Sequence, residues 1–196
     1  MNVPRKSHLI AAKRVLRYVK GTINYGLLFP KGDAEAQVEL IGYTDSDWCG
    51  DRVDRRSTSG YVCMLNGTSI CWSSKKQPVT ALSSCEAEYI ASTYAACQLI
   101  WLESLMKELK CKLKKPLHLL IDNKSAINLA RNPVSHGRSK HIETRFHFIR
   151  ERVMNGKIEV VHCPTHDQMA DGFTKAVKLD RFEALRECLG IVKLMD

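Results

Sequence analysis

A chain of 196 residues, 44% hydrophobic and 26% charged, can bury one sizeable core and is too rich in apolar residues for a disordered segment. No apolar run approaches the roughly 20 residues of a membrane-spanning helix, and Met-Asn-Val-Pro-Arg-Lys at the start lacks a signal-peptide apolar stretch. The expectation is therefore a soluble intracellular protein, cytoplasmic or nuclear. A net charge of +9 and a pI near 9.2 point to a polyanionic partner.

In chain order, Ser7 to Lys20 predicts an amphipathic helix, with Leu9, Ala12, Val15, Leu16 and Val19 spaced for one face and Gly21 as its stop. Pro30-Lys31-Gly32-Asp33 follows as a turn or linker. Residues 1–37 carry seven basic and two acidic side chains, so this lead-in holds +5 of the charge, and the body over 38–196 is only mildly basic. Two readings of the lead-in stay open: a solvated charged helix packed loosely on the body, or a nucleic-acid contact. Val38–Asp45, Gly60–Leu65 and Ser69–Ser74 predict three strands, the last two joined by an Asn66-Gly67 hairpin turn. A long helix over Ser84–Lys110 precedes a strand at Leu117–Asp122 and a helix at Lys124–Arg131 that Asn132-Pro133 breaks. A helix over His141–Met154, a strand at Ile158–His162 and short helices near Gln168–Thr174 and Leu179–Cys188 complete the chain. This order implies an α/β fold whose mixed sheet is antiparallel first and parallel later, with helices covering it. The eight cysteines include no Cys-x-x-Cys pair. Cys63, Cys71 and Cys97 lie inside apolar segments, which predicts structural thiols rather than disulfides or zinc ligands.

Four carboxylates stand where structure alone gives little reason for a charge. Asp45 and Asp122 end apolar strand-like runs, Glu88 lies in the first turns of the long helix, and Asp171 opens a later helical segment. Two unit charges about 4 Å apart repel by roughly 4 kcal/mol at an effective dielectric of about 20, so four acids gathered at one point require a cation among them. Oxygen donors with a hard divalent ion are the usual solution, and the chemistry they support is metal-assisted phosphodiester hydrolysis. Two acids compete on the long helix. Glu88 shares a stripe with Ala95, Leu99, Leu102 and Met106, whereas Glu86 falls with Thr93, Ser104 and Lys107. Ser83-x-x-Glu86 also reads as a capping box, which gives Glu86 a structural task and leaves Glu88 as the functional acid.

Of the histidines, His136, His141 and His147 fit no standard zinc spacing. Trp72 and Trp101 are expected in the core. Lys75, Lys76 and Gln77 follow a strand and read either as a polar loop or as a grip on backbone phosphates.

Several blocks together resemble the ribonuclease H region of copia-type retrotransposon polyproteins: Tyr43-Thr44-Asp45-Ser46-Asp47-Trp48, Arg56-Ser57-Thr58-Ser59-Gly60-Tyr61, and Ile70 through Gln77. Leu82 through Tyr89, Asp122-Asn123-Lys124-Ser125-Ala126, Lys140-His141-Ile142 and Ala170-Asp171-Gly172-Phe173-Thr174-Lys175 continue the pattern. The lead-in from His8 to Thr22 resembles the segment joining reverse transcriptase to ribonuclease H. The resemblance implies a five-stranded mixed sheet, catalytic and metal-binding roles for Asp45, Glu88, Asp122 and Asp171, and an RNA–DNA hybrid as substrate. It further implies two Mg²⁺ ions about 4 Å apart, with Mn²⁺ able to substitute, and a reverse transcriptase domain as partner. Ser57, Ser59, Lys76, Asn123, Lys140 and His166 are the implied nucleic-acid contacts, His166 from a loop that assists product departure in retroviral relatives. Gly172 stands where the pattern has an apolar residue. A glycine in a helix costs about 1 kcal/mol relative to Ala, which predicts a less rigid hold on Asp171. Three readings follow: an active ribonuclease H, a non-catalytic nucleic-acid-binding remnant, or an integrase-like enzyme. The last is disfavoured because Glu88 precedes Asp122.

Overall fold

The computed structural model describes residues 3–32, 37–132 and 143–194, without the side chains of 143–147. Three strands run in succession, β2 (Leu40–Ser46), β3 (Thr58–Leu65) and β4 (Thr68–Lys76), after a lead-in of α1 (Lys6–Gly21) and β1 (Tyr25–Leu27). Asn66 and Gly67, at φ 47° and 80°, turn the β3–β4 hairpin, a conformation that this residue pair adopts at low cost. The chain continues through α2 (Ser84–Glu108), β5 (Leu117–Ile121), α3 (Lys124–Arg131), α4 (Glu143–Met154), β6 (Ile158–His162), two 3-10 turns, α5 (Leu179–Cys188) and β7 (Ile191–Lys193).

The main sheet has five strands in the order β4-β3-β2-β5-β6. The β4–β3 and β3–β2 pairs are antiparallel, and the β2–β5 and β5–β6 pairs are parallel, as the order of elements predicts. Both faces of β2 are covered. Gly42 points at α2, where a Cβ would come within 2.8 Å of Leu99 Cδ1 and 3.2 Å of Leu119 Cδ1. That side holds the larger core, with Leu99, Leu102, Leu117, Leu119 and Ile149 packed between sheet and helices. Gly60 faces the other way, and a Cβ there would meet Thr174 Cγ2 at 2.6 Å. Val62 and Met64 pack on this second side with Leu189, Phe173 and Ile191. Two glycines thus let α2 and the Met169–Phe173 turn approach the sheet closely from opposite faces.

Sequence patterning missed β1 and β7, which pair antiparallel with Tyr25 opposite Lys193. Arg186 lies over the Tyr25 ring, 4.7 Å from its centre, so the lead-in is fastened to the C-terminal segment through β1. No residue of α1 is buried, and Leu9, Val15 and Leu16 are 56%, 60% and 67% exposed. Trp72 and Trp101, expected inside, are 52% and 57% exposed. Trp72 stands on the edge strand, lining a cavity with Tyr18, Tyr25 and Phe182, and Trp101 stands on the outward side of α2. Cys63 is buried as expected, but Cys97 is exposed. Among the described residues no helix is long and apolar enough to cross a membrane.

Candidate active site

Parallel pairing of β2 with β5 places Thr44 opposite Ile121, so the next residues, Asp45 and Asp122, emerge side by side at the strand ends. Glu88 reaches the same point from the second turn of α2, whose N-terminus is fixed by Ser83 accepting the Glu86 N–H at 3.1 Å. One carboxylate oxygen from each of Asp45, Glu88 and Asp122 lies within 4.8 Å of the others. Asp45 is 1% and Glu88 5% exposed, while Asp122 is half-buried.

Burial and mutual repulsion act together on this triad. Burial, followed by the charges of Asp45 and Asp122, pushes the Glu88 carboxyl up to about 9. Burial likewise raises Asp45 and Asp122, each with a smaller push from neighbouring acids. Glu88 Oε1 accepts the Ser46 N–H at 3.0 Å, while its buried Oε2 has no hydrogen-bond partner. Three convergent acids, one of them carrying a buried oxygen without a hydrogen-bond partner among the described residues, fit a hard divalent cation of the Mg²⁺ or Mn²⁺ kind.

Asp171 is arranged differently. It is 4% exposed and sits in the 3-10 turn Met169–Phe173. Lys175 Nζ lies 2.8 Å from Asp171 Oδ1 and 3.5 Å from Asp45 Oδ2. Arg181 Nη2 faces Asp171 Oδ2 at 3.7 Å, and it donates to the carbonyl of Gln168 at 2.8 Å. The Thr174 hydroxyl donates to Asp45 Oδ2, tying the turn to β2. The segment around Gly172 is a 3-10 turn rather than the α-helix expected, and Lys175 and Arg181 lie on either side of the Asp171 carboxylate.

Two buried glutamines join the elements that carry the acids. Gln77, 1% exposed, donates through Nε2 to Ser59 Oγ at 2.9 Å, Ala87 O at 3.0 Å and Ser46 Oγ at 3.3 Å, linking β3, α2 and β2 beneath Asp45 and Glu88. Burial corrects its reading as a phosphate grip. Gln168, fully buried, donates to Thr44 O at 3.0 Å and accepts the Ala170 N–H at 3.2 Å, linking β2 to the Asp171 turn. Sequence reasoning missed both struts, as well as Thr174, Lys175 and Arg181. The Ser83-x-x-Glu86 spacing did reveal the cap, although Glu86 Oε2 accepts the Leu82 N–H at 2.9 Å instead of that of Ser83.

The implied nucleic-acid contacts divide by exposure. Ser57 and Ser59 are 0% and 2% exposed, Ser57 Oγ accepting the Cys49 N–H at 3.0 Å and Ser59 Oγ accepting from Gln77. Both serve the interior. Lys76 is exposed but paired with Asp51 at 2.5 Å and Asp54 at 2.7 Å. Asn123 caps α3 by accepting the Ala126 N–H at 3.0 Å. His166 is exposed on the turn before Asp171, 3.2 Å from Asp167 Oδ2. Lys140, His136 and His141, and the His147 side chain, lie outside the described residues.

No protein-family model matches the chain. Plant transposon polyproteins match nearly all of it. The Retrovirus-related Pol polyprotein from transposon RE1 of Arabidopsis thaliana is 41% identical over 194 residues, covering 99% of this chain and 13% of the polyprotein. The corresponding polyprotein from transposon TNT 1-94 of Nicotiana tabacum is 40% identical over 188 residues, covering 96% and 14%. Among solved structures, the ribonuclease H1 LC11, isolated from compost by a metagenomic approach, aligns with a TM-score of 0.52 at 20% identity, covering 77% of this chain and 98% of that one. The chain belongs with the ribonuclease H region of copia-type Pol polyproteins. It spans about one seventh of the length of these polyproteins, and its sheet order is that of the ribonuclease H fold.

Proposed function

We propose that this ribonuclease H region hydrolyses the RNA strand of RNA–DNA hybrids, and the convergence of Asp45, Glu88 and Asp122 carries that reading. These three residues would hold a divalent cation, Mg²⁺ with Mn²⁺ able to substitute, and the bound ion supplies charge stabilisation at the scissile phosphate and a more acidic attacking water. The chain's own residues do the positioning. Ser46 N–H orients Glu88, and Thr174 orients Asp45. Gln77 and Gln168 hold the carrier segments in register. No side-chain nucleophile is required. Contacts to successive 2′-hydroxyls would select RNA over DNA. Direct substrate contacts fall to the exposed Lys76 and His166 and the half-buried Asn123, with Lys140 a further candidate outside the described residues, whereas Ser57 and Ser59 support the loop from inside. The Pol context makes a reverse transcriptase domain the natural partner.

The test is cleavage of labelled RNA–DNA hybrid, duplex RNA and duplex DNA with and without Mg²⁺. Metal-dependent cutting of the hybrid RNA strand alone is expected. Hybrid binding without cutting in any metal would favour the nucleic-acid-binding remnant.

A further inference from the structure

We infer that Lys175 takes the place of one of the two cations expected in this site, so that the protein holds a single divalent ion. This rests on the reading of the triad as a metal site. The ammonium lies 2.8 Å from Asp171 Oδ1 and 3.5 Å from Asp45 Oδ2, between the two acids. Asp45 Oδ2 also accepts from Thr174, which leaves Oδ1 for an ion shared with Glu88 and Asp122. The second Asp171 oxygen faces Arg181 at 3.7 Å. Asp171 thus meets two cationic side chains of its own segment, its buried Oδ1 in an ion pair without a hydrogen bond, and among the described residues it stands outside the group of three convergent acids. Lys175 lies four residues after Asp171, and the Asp171 to Thr174 turn that packs on Gly60 returns it to β2. A lysine there places a positive charge between two carboxylates from within the chain, whereas an ion would have to shed water and compete with it. Lys175 is then a positioning residue whose charge sets the metal stoichiometry.

Counting bound Mn²⁺ by electron paramagnetic resonance titration tests this in the whole chain, with Asp122→Asn as the reference that removes the triad ion. Wild type should bind one Mn²⁺ tightly, Lys175→Met two, and Lys175→Arg one. The Met variant should also melt about 2–4 °C below wild type without metal, and Mn²⁺ should raise its Tm more than that of wild type. Two tight ions in wild type, or one ion in both wild type and Lys175→Met, overturns the inference and leaves the triad reading intact. No tight Mn²⁺ in wild type overturns both. Lys175→Gln, equally uncharged, replaces the Met variant if that one does not fold, with the same two ions expected.

Discussion

The triad and the C-terminal turn confront the same problem, a buried carboxylate, and answer it in opposite ways. Asp45, Glu88 and Asp122 converge from β2, α2 and the end of β5 with oxygens within 4.8 Å, and their mutual repulsion adds to the cost of burial. Asp171 meets Lys175 and Arg181 from its own segment. One arrangement is left unbalanced and calls for an external ion. The other is balanced within the chain. Asp45 belongs to both, as one of the three convergent acids and as the acceptor of the Thr174 hydroxyl.

The largest effects should separate the two regions by function. Asp122→Asn or Glu88→Gln should lower hybrid cleavage about a thousandfold, the scale of removing one electrostatic stabiliser from a water-excluded site, and abolish tight Mn²⁺ binding. Asp171→Asn should leave the triad ion bound. Glu86→Gln should retain most activity, since Glu86 caps α2 at Leu82. Parallel measurements of cleavage and Mn²⁺ affinity check all four, and loss of the ion in Asp171→Asn would erase the distinction between the regions.

Much of this was legible in the sequence because it rests on local signals. Strand-end acids, the Asn66-Gly67 hairpin, the capping serine and the apolar stripe of the long helix each announce themselves within a few residues. Helix phase and the capping box together separate Glu88 from Glu86, although both are buried, at 5% and 8% exposure, because the first half of α2 is covered on more than one side. What escaped was long-range. Gln168 bonds to a residue 124 positions away and Thr174 to one 129 away, and nothing local marks either as a strut. Gln77 looked like surface because it follows two lysines, yet β4 ends by turning it under α2. The three-residue strands β1 and β7 are too short to show alternation, and they exist because each supplies the other's partner.

A second prediction addresses pH without metal. Glu88 keeps its proton in the folded state up to about 9, whereas the unfolded chain releases it near 4.5. Between these values the folded state binds more protons, so stability falls as pH rises across the window. Asp45 and Asp122, also raised, act in the same direction. Denaturant unfolding in a chelator should show this decline, a flatter profile for Glu88→Gln, and a flatter profile for wild type in excess Mg²⁺, which binds the ionised native site by mass action. An equal slope in all three would mean that the triad is not the source.

The smallest expected effect has opposite signs at two neighbouring acids. Asp122→Asn removes one charge from the triad, and in the absence of metal it should stabilise the protein by about 1 kcal/mol, below the bare Coulomb repulsion because Asp122 is only half-buried. Asp45→Asn removes a charge from the same cluster but also leaves Thr174 a weaker, neutral acceptor and deprives Lys175 of an ion-pair partner. Breaking a buried charged contact leaves its partners poorly satisfied, which costs about 1–3 kcal/mol and outweighs the relieved repulsion. Asp45→Asn should therefore be neutral or destabilising without metal. Thermal unfolding of both variants with and without millimolar Mg²⁺ reads the two signs directly. If both variants are stabilised equally, Asp45 is an ordinary member of the repelling triad, and its bond to the C-terminal turn contributes nothing to the fold.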